Sequence, residues 1–346
     1  MLNDSYSFDD DNESVVLQSV GAAVFGVILY IFGLPANILL IVTCTRLKRL
    51  RVRHNVFTVN LAVYDTLIIG ILLPITFVTS ATGNYPLSPD ACLFAAILSH
   101  TCFTGSVSTL MFISFDRYIK ICKSKCYNRI FNKKSICLSC ICIWLIGFIF
   151  TIPLVILEDG FVLDLTLQIC IFNRYKYRAY SVVYMFLCLM VPISLTVLCY
   201  QRIYRYLVKS KRRLYRNWNN GLAQARLKHE NAICRAHFAV FTAYFILLMP
   251  FGIVAMLEDE DDVPDTVHLI VMYLCYTNSC VNTFVYGVLN SNIRKAYKEL
   301  FTCLGSRRNE NSSSGIPGRS QTVSLTNKIY PVTGNTLPDS EGRYYI

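Results

Sequence analysis

The chain is poor in charge. Asp, Glu, Lys and Arg make up 16% of its 346 residues, against about a quarter in an ordinary soluble domain. It contains no Gly-x-x-x-x-Gly-Lys loop, no His-Glu-x-x-His pair and no two Cys-x-x-Cys motifs in tandem, and its five histidines are scattered. Those absences remove the common phosphate cradles and zinc sites, and no enzyme chemistry suggests itself. The fifteen cysteines do not read as a disulfide framework either. Cys102, Cys137, Cys140, Cys142, Cys188, Cys199, Cys275 and Cys280 lie inside apolar runs, where a free thiol packs as a small hydrophobe. No signal peptide is read ahead of the first apolar run, because residues 1–14 are polar and acidic. The first apolar segment is expected to act as its own signal-anchor.

In place of charge the chain has apolar length: 54% hydrophobic residues and a mean hydropathy of +0.43. Seven segments are long enough to cross a bilayer, at 17–44, 55–80, 90–122, 135–157, 178–208, 228–257 and 265–289. A short amphipathic helix is expected at 291–302, with Ile293, Ala296, Tyr297, Leu300 and Phe301 on one face. The expected fold is therefore all-α, an integral membrane bundle of seven spans with an eighth helix on the surface. The domain reading is a disordered acidic tail at 1–16, the bundle at 17–303 and a flexible tail at 304–346. Asn3 and Asn12 each begin an Asn-x-Ser glycosylation acceptor, and Cys303 is read as a palmitoylation site.

Lys and Arg set the expected orientation. They crowd the first loop (Arg46 to Arg53), the loop after Asp116-Arg117-Tyr118, and the stretch joining spans five and six (Arg205 to Lys228). Those loops should face the cytoplasm, which places the amino terminus outside. The same rule accounts for the basic run Lys209–Arg216, so no nucleic-acid partner is read from it. Cys92 and Cys170 are the cysteines in or beside the outer loops, and are expected to form a disulfide.

The third span, from Cys92 to Tyr118, is the centre of the reading. Ser99, Phe103, Ser106, Leu110, Ile113 and Arg117 recur at spacings of four and three and share one helical face. Charged residues at mid-bilayer cost about 2.5–3.5 kcal/mol, so Asp65 in the second span invites a reason. Asn37, Ser106, Asn278, Ser279 and Asn282 lie at similar depth. Such oxygens suit a hard cation or a proton; a polar network that only holds helices together is the other reading. Pro74, Pro153, Pro192 and Pro250 should kink spans two, four, five and six.

Taken jointly, Asn37, Leu61-Ala62-x-x-Asp65, Cys92, Asp116-Arg117-Tyr118, Trp144, Pro192 with Tyr200, Pro250 and Asn282-Thr-Phe-Val-Tyr286 resemble the rhodopsin-like (class A) G-protein-coupled receptors. The resemblance implies a plasma-membrane receptor that binds an extracellular ligand and activates a heterotrimeric G protein, with arrestin and membrane lipid as further partners. It implies that Asp116, Arg117, Tyr118, Glu230, Tyr200 and Tyr286 form the G-protein switch. Asp65, Ser106, Asn278, Ser279 and Asn282 would form an allosteric sodium pocket. The ligand site is expected at Ser99, His100, Phe103, Thr104, Phe172, Cys188, Phe251 and Tyr276, where His100, Phe103 and Phe251 have packing as a second reading. No cofactor beyond the sodium ion is implied.

Within that family the run from Tyr276 to Asn290, Ile293-Arg-Lys, Arg117-Tyr-Ile-Lys-Ile-Cys and Leu198-Cys-Tyr-Gln-Arg-Ile are similar to melatonin-type receptors. Several positions depart. Cys188, Leu154 and Arg174 stand where those receptors carry histidine, asparagine and glutamine. Leu248 replaces the family's tryptophan two residues before Pro250, and Thr283 stands at the seventh-span proline position, where melatonin-type receptors also lack proline. Ser99 in place of an aspartate argues against a biogenic amine. Glu258-Asp-Glu-Asp-Asp262 with Asp265 points instead to a basic ligand, with a solubilising loop as the plainer reading. A non-signalling seven-span receptor is the alternative function; a transporter is set aside for want of repeats or a charged pore line.

Overall fold

A computed structural model describes residues 8–53, 55–164, 167–216, 221–257 and 263–312. Helices run over Phe8–Arg46 (α1), Asn55–Thr82 (α2), Pro89–Cys122 (α3), Lys133–Ile156 (α4), Arg178–Arg212 (α5), Gly221–Leu257 (α6), Asp265–Leu289 (α7) and Ser291–Ser312 (α8). The first six are long and apolar enough to cross a membrane by themselves. The seventh has the length, but His268, Asn278, Ser279 and Asn282 dilute its apolar character. All four are buried, so the bundle rather than lipid receives them. Large apolar side chains point outward in their stead, including Phe32, Ile156, Phe284 and Ile246. The expected seven-span bundle is thus the observed one.

α3 is the axis, packed against α2, α4, α5 and α6. Its start is fixed locally: Ser88 caps it by accepting from the Ala91 amide, and Pro89 occupies the first turn. The face predicted from spacing points inward, with Ser106, Leu110, Ile113 and Arg117 all buried. Polar side chains then tie neighbours to this axis. Asn60 on α2 donates to Thr109 on α3 (2.9 Å) and accepts from Trp144 on α4 (3.1 Å). On the other side, Asn37 of α1 donates to the Ser279 carbonyl (3.0 Å) and accepts from Thr283 of α7 (2.6 Å). Thr283, which looked like a defect in the seventh-span motif, is one of the bonds that fastens α1 to α7.

The prolines act less uniformly than expected. In α2 and α5 a five-residue π-helical turn, Ile68–Leu72 and Phe186–Met190, precedes Pro74 and Pro192. A widened turn relieves the clash that a proline ring makes with the preceding turn. Pro153 and Pro250 sit inside continuous helix, as does Pro35 of α1, which sequence reasoning passed over.

Between α4 and α5 the chain forms a hairpin that an all-helical reading did not anticipate. Phe161–Asp164 (β1) pairs antiparallel with Ile169–Phe172 (β2). β2 is buried throughout and carries Cys170, joined to Cys92 at the start of α3 with Cα atoms 5.5 Å apart. The expected disulfide is therefore formed. Arg174 closes the hairpin by donating to Asp164 (2.5 Å) and lying over the Tyr175 ring.

Both ends of the bundle domain differ from expectation. α1 begins at Phe8, inside the stretch 1–16 read as disordered. α8 continues to Ser312, past the expected end at 302, and no proline interrupts the chain before Pro317. The chain divides into two units between Leu300 and Phe301, and every site discussed below lies in the first. Asn3, the Asn12 and Cys303 side chains and residues 258–262 lie outside the described residues.

Two substitutions probe this packing. Gly105 of α3 faces the buried Tyr64 ring of α2, itself stacked on Trp144 at 4.3 Å; a Cβ there would fall on the ring. Gly105→Ala is expected to cost about 1–3 kcal/mol, read as a lower thermal unfolding midpoint of the detergent-purified chain. An unchanged midpoint would mean that the ring has room to move. Thr283→Val should lower stability by about 1–2 kcal/mol, because it leaves Asn37 Oδ1 buried and unpaired, whereas Thr283→Ser should lie within about 0.5 kcal/mol of the parent.

Candidate functional site

A cavity opens into the half of the bundle that carries the disulfide, with about 990 Å³ of unfilled space counting its opening. Its walls are single helical stripes. α3 contributes Ala96, Ser99, His100, Phe103 and Ser106, and α6 contributes Tyr244, Leu248, Phe251 and Ala255 at spacings of four, three and four. α7 adds Met272, Cys275, Tyr276, Asn278 and Ser279, α2 adds Ile68 and Leu72, and β2 lids one side with Ile169, Ile171 and Phe172. Aromatic rings dominate the upper part. His100 stacks on Tyr184 at 4.3 Å, meets Phe172 edge-on at 5.6 Å, and bonds Thr151 through Nδ1 (3.0 Å). The Tyr276 hydroxyl shares a 2.6 Å hydrogen bond with Thr76 of α2.

Six of the eight expected ligand residues line this cavity: Ser99, His100, Phe103, Phe172, Phe251 and Tyr276. Thr104 and Cys188 do not. Thr104 lies one position, about 100° of helix, beyond Phe103, and bonds Tyr184 (2.9 Å) and the His100 carbonyl (2.9 Å) instead. Cys188 is buried in the π turn of α5. His100 packs against Tyr184 and Phe172 and also borders the cavity. Tyr184, Tyr244, Met185 and Leu248 were missed; inward stripes on α5 and α6 were the available signal.

Deeper in the bundle lies the polar chamber. Asn282 donates to Asp65 Oδ2 at 3.0 Å, and Ser279 lies against the same carboxylate. Asp65 Oδ1, Ser106 Oγ, Asn278 Oδ1 and Asn282 Oδ1 are buried and have no hydrogen-bond partner among the described residues. An acceptor-rich pocket around one carboxylate fits a small hard cation. Asp65, Ser279 and Asn282 are therefore brought together, and Ser106, Asn278 and Ser279 share the wall of the cavity.

At the opposite end of α3 the Arg117 side chain is 1% exposed. Its Nε donates to Asp116 Oδ2 at 2.9 Å, and Nη2 pairs with the same oxygen. Glu230 of α6 comes within 3.9 Å of Arg117 Nη1 and 4.0 Å of Lys120 Nζ, without a hydrogen bond to Arg117. Tyr286 of α7 is buried beside His237 of α6, rings 5.4 Å apart. Tyr200 packs on Phe238 and Phe241 of α6 rather than on Arg117, at 5.1 and 6.1 Å, and Tyr118 is half-buried against the core. Sequence reasoning missed Tyr127, on the two-turn helix Ser124–Ile130. Its hydroxyl donates to Asp116 Oδ1 at 2.9 Å. Burial, with Asp116 adding to it, holds that hydroxyl above the usual tyrosine range, so it stays a donor.

Comparisons with known proteins agree with this geometry. The family described as 7 transmembrane receptor (rhodopsin family) matches residues 36–286. Melatonin receptor type 1A of Mus musculus is 28% identical over 289 residues, covering 81% of this chain and 79% of its own. Melatonin receptor type 1C of Xenopus laevis is 26% identical over 302 residues, covering 85% and 70%. A crystal structure of squid rhodopsin superposes with a TM-score of 0.74 at 18% identity, over 88% of this chain and 93% of its own, which speaks to the fold. With the buried arginine of α3, the disulfide to the hairpin and the polar chamber of α2, α3 and α7 in place, the chain belongs to the rhodopsin family of seven-transmembrane receptors.

Proposed function

We propose that the chain is a plasma-membrane receptor that takes an extracellular ligand in the cavity and activates a heterotrimeric G protein at the Arg117 end. The observation that carries this is the pairing of Arg117. One buried guanidinium holds Asp116 by hydrogen bonds and Glu230 of α6 only at 3.9 Å. An arginine so buried cannot leave its carboxylate without a replacement partner, because removing one partner of such a pair costs about 3–5 kcal/mol. A docking partner that supplies acceptors while α6 moves away would provide it. The basic loops support an amino terminus outside the cell, with the disulfide end facing the same way.

The aromatic upper cavity favours a small, flat ligand like that named for the melatonin receptors among its relatives. A basic peptide is the second reading, favoured by the acidic stretch that joins α6 to α7. A sodium ion would be held by Asp65, Ser106, Asn278, Ser279 and Asn282, and would supply positive charge against the buried carboxylate. Arrestin would share the Arg117 end, and lipid would contact the outward apolar side chains.

The direct test reconstitutes the full chain with a heterotrimeric G protein and measures nucleotide exchange with melatonin and with a panel of basic peptides. One of these should raise exchange, and Arg117→Ala should remove at least about nine-tenths of the gain, as losing a replacement charge pair predicts. Equal gains in both chains would remove Arg117 from the mechanism, and no gain with any ligand or G protein would favour a non-signalling receptor. Tyr127→Phe deletes one bond to Asp116, a charge-assisted contact of about 1.5–3 kcal/mol, and should raise ligand-independent exchange several-fold. Basal exchange at the parental level would show that Tyr127 does not restrain the pair.

A further inference from the structure

A groove runs between α5 and α6 in the half of the bundle that carries Arg117, with about 1180 Å³ of unfilled space counting its open side. α6 packs chiefly on α7 and meets α5 at few residues, so a gap is left between them. Tyr204, Phe238, Val197 and Phe245 are exposed at the mouth of this gap, while Tyr200, Cys234 and Phe241 are buried at its back. The groove therefore opens sideways on the outer surface of the bundle, where a membrane would lie.

Its two ends differ in chemistry. The lining runs from Leu207 to Ile193 on α5 and from Asn231 to Phe245 on α6, about 21 Å along each helix at roughly 1.5 Å per residue. One leaflet supplies about 15 Å of hydrocarbon, so the groove reaches from headgroup level into the core of a leaflet. At the end nearer the basic loops, Gln201, Tyr204, Asn231 and Arg235 carry hydrogen-bond donors, and none has a partner among the described residues. Toward mid-bilayer the walls are Ile193, Val197, Phe241 and Phe245, and Thr242 spends its hydroxyl on the Phe238 carbonyl at 2.9 Å. Arg235 is exposed on the membrane side, a costly place for a guanidinium unless an anion meets it. Arg205, Lys209, Lys211 and Arg212 of α5 and Lys228 of α6 add positive charge around that end.

We propose that this groove is a binding site for one anionic phospholipid of the inner leaflet, its phosphate on Arg235 and one acyl chain between Val197, Phe241 and Phe245. A guanidinium fork matches phosphate oxygens two at a time, and Gln201, Asn231 and Tyr204 can donate to those that remain. A zwitterionic lipid brings the same chains, but its own ammonium opposes Arg235 and the basic residues around it. A free phosphate meets the same donors and leaves the apolar length of the groove unfilled. Occupied, the site joins α5 to α6 through lipid where side chains leave them apart. It is one site for one lipid class, distinct from the general contact of lipid with outward apolar side chains.

The inner leaflet rests on the orientation proposed above, whereas binding read in detergent does not depend on it, nor on any G protein. The purified full-length chain is titrated with equal amounts of dioleoyl phosphatidylglycerol and dioleoyl phosphatidylcholine, and bound lipid is read by native mass spectrometry. Phosphatidylglycerol should be retained at least about fivefold more tightly, and Arg235→Gln should bring the ratio near one, as the loss of a charge-assisted contact predicts. Arg205→Gln removes the same charge from an exposed position outside the groove and should keep the preference. Val197→Trp grows into the groove and should weaken phosphatidylglycerol retention at least about fivefold, with the lipid-free unfolding midpoint of each variant showing that it is folded. Inorganic phosphate should not displace the lipid. Equal retention of the two lipids by the parent chain, equal effects of Arg235→Gln and Arg205→Gln, full retention in folded Val197→Trp, or displacement by phosphate would each overturn the proposal.

Discussion

A bilayer offers no hydrogen bonds, so every polar group carried into it must find its partner inside the protein. That constraint arranges this molecule. The amides and hydroxyls of α1, α2, α3, α4 and α7 turn inward and meet one another, as Asn37 meets Thr283 and Ser279, and Asn60 meets Thr109 and Trp144. Each such bond is worth only about 0.6–2 kcal/mol in a membrane, but together they fix which face of each helix looks at α3. Of the buried polar atoms left over among the described residues, Asp65 Oδ1, Ser106 Oγ, Asn278 Oδ1 and Asn282 Oδ1 are the ones expected at the sodium pocket, while others such as Thr43 Oγ1 and Tyr297 OH lie elsewhere. The satisfied groups build the scaffold, and those four oxygens stand ready for a further partner.

The same contrast operates at the Arg117 end. Arg117 is tied to Asp116 by hydrogen bonds within its own helix, and Tyr127 ties Asp116 from the following short helix. Its tie to α6 is of another kind: 3.9 Å, no hydrogen bond, and a partner shared with Lys120. Glu230 is also partly exposed, which screens its charge. Among the contacts of Arg117, the one across helices is the weakest. On the proposed function, α6 is then the element released at least cost, while the pair on α3 stays assembled until a partner arrives.

Much of this was legible because hydrocarbon imposes simple rules. Spacing placed Ser99, Phe103, Ser106 and Arg117 on one face of α3, and the location of Cys92 and Cys170 gave the disulfide. What failed was whatever depends on local departures from regular helix. Cys188 was named because it stands where melatonin-type receptors carry a histidine, and here it is buried in the π turn Phe186–Met190 and does not line the cavity. Thr104 stands one position past Phe103, which on a helix is a different face, and its hydroxyl is taken by Tyr184 and the His100 carbonyl. Tyr127 had no signal at all in its basic loop; only the fold of Ser124–Ile130 brings it to Asp116. The β1–β2 hairpin was hidden because a short buried strand such as Ile169–Phe172 has no alternation to reveal it.

The departures from the family pattern also change meaning once placed. Thr283 supplies a bond that a proline could not, since a proline side chain carries no donor for Asn37 Oδ1. In hydrocarbon an amide oxygen left without a donor finds no water to replace it, so Thr283 is what keeps both polar atoms of the Asn37 amide paired where α1 meets α7. Leu248 stands as an apolar wall of the cavity, on the α6 stripe between Tyr244 and Phe251.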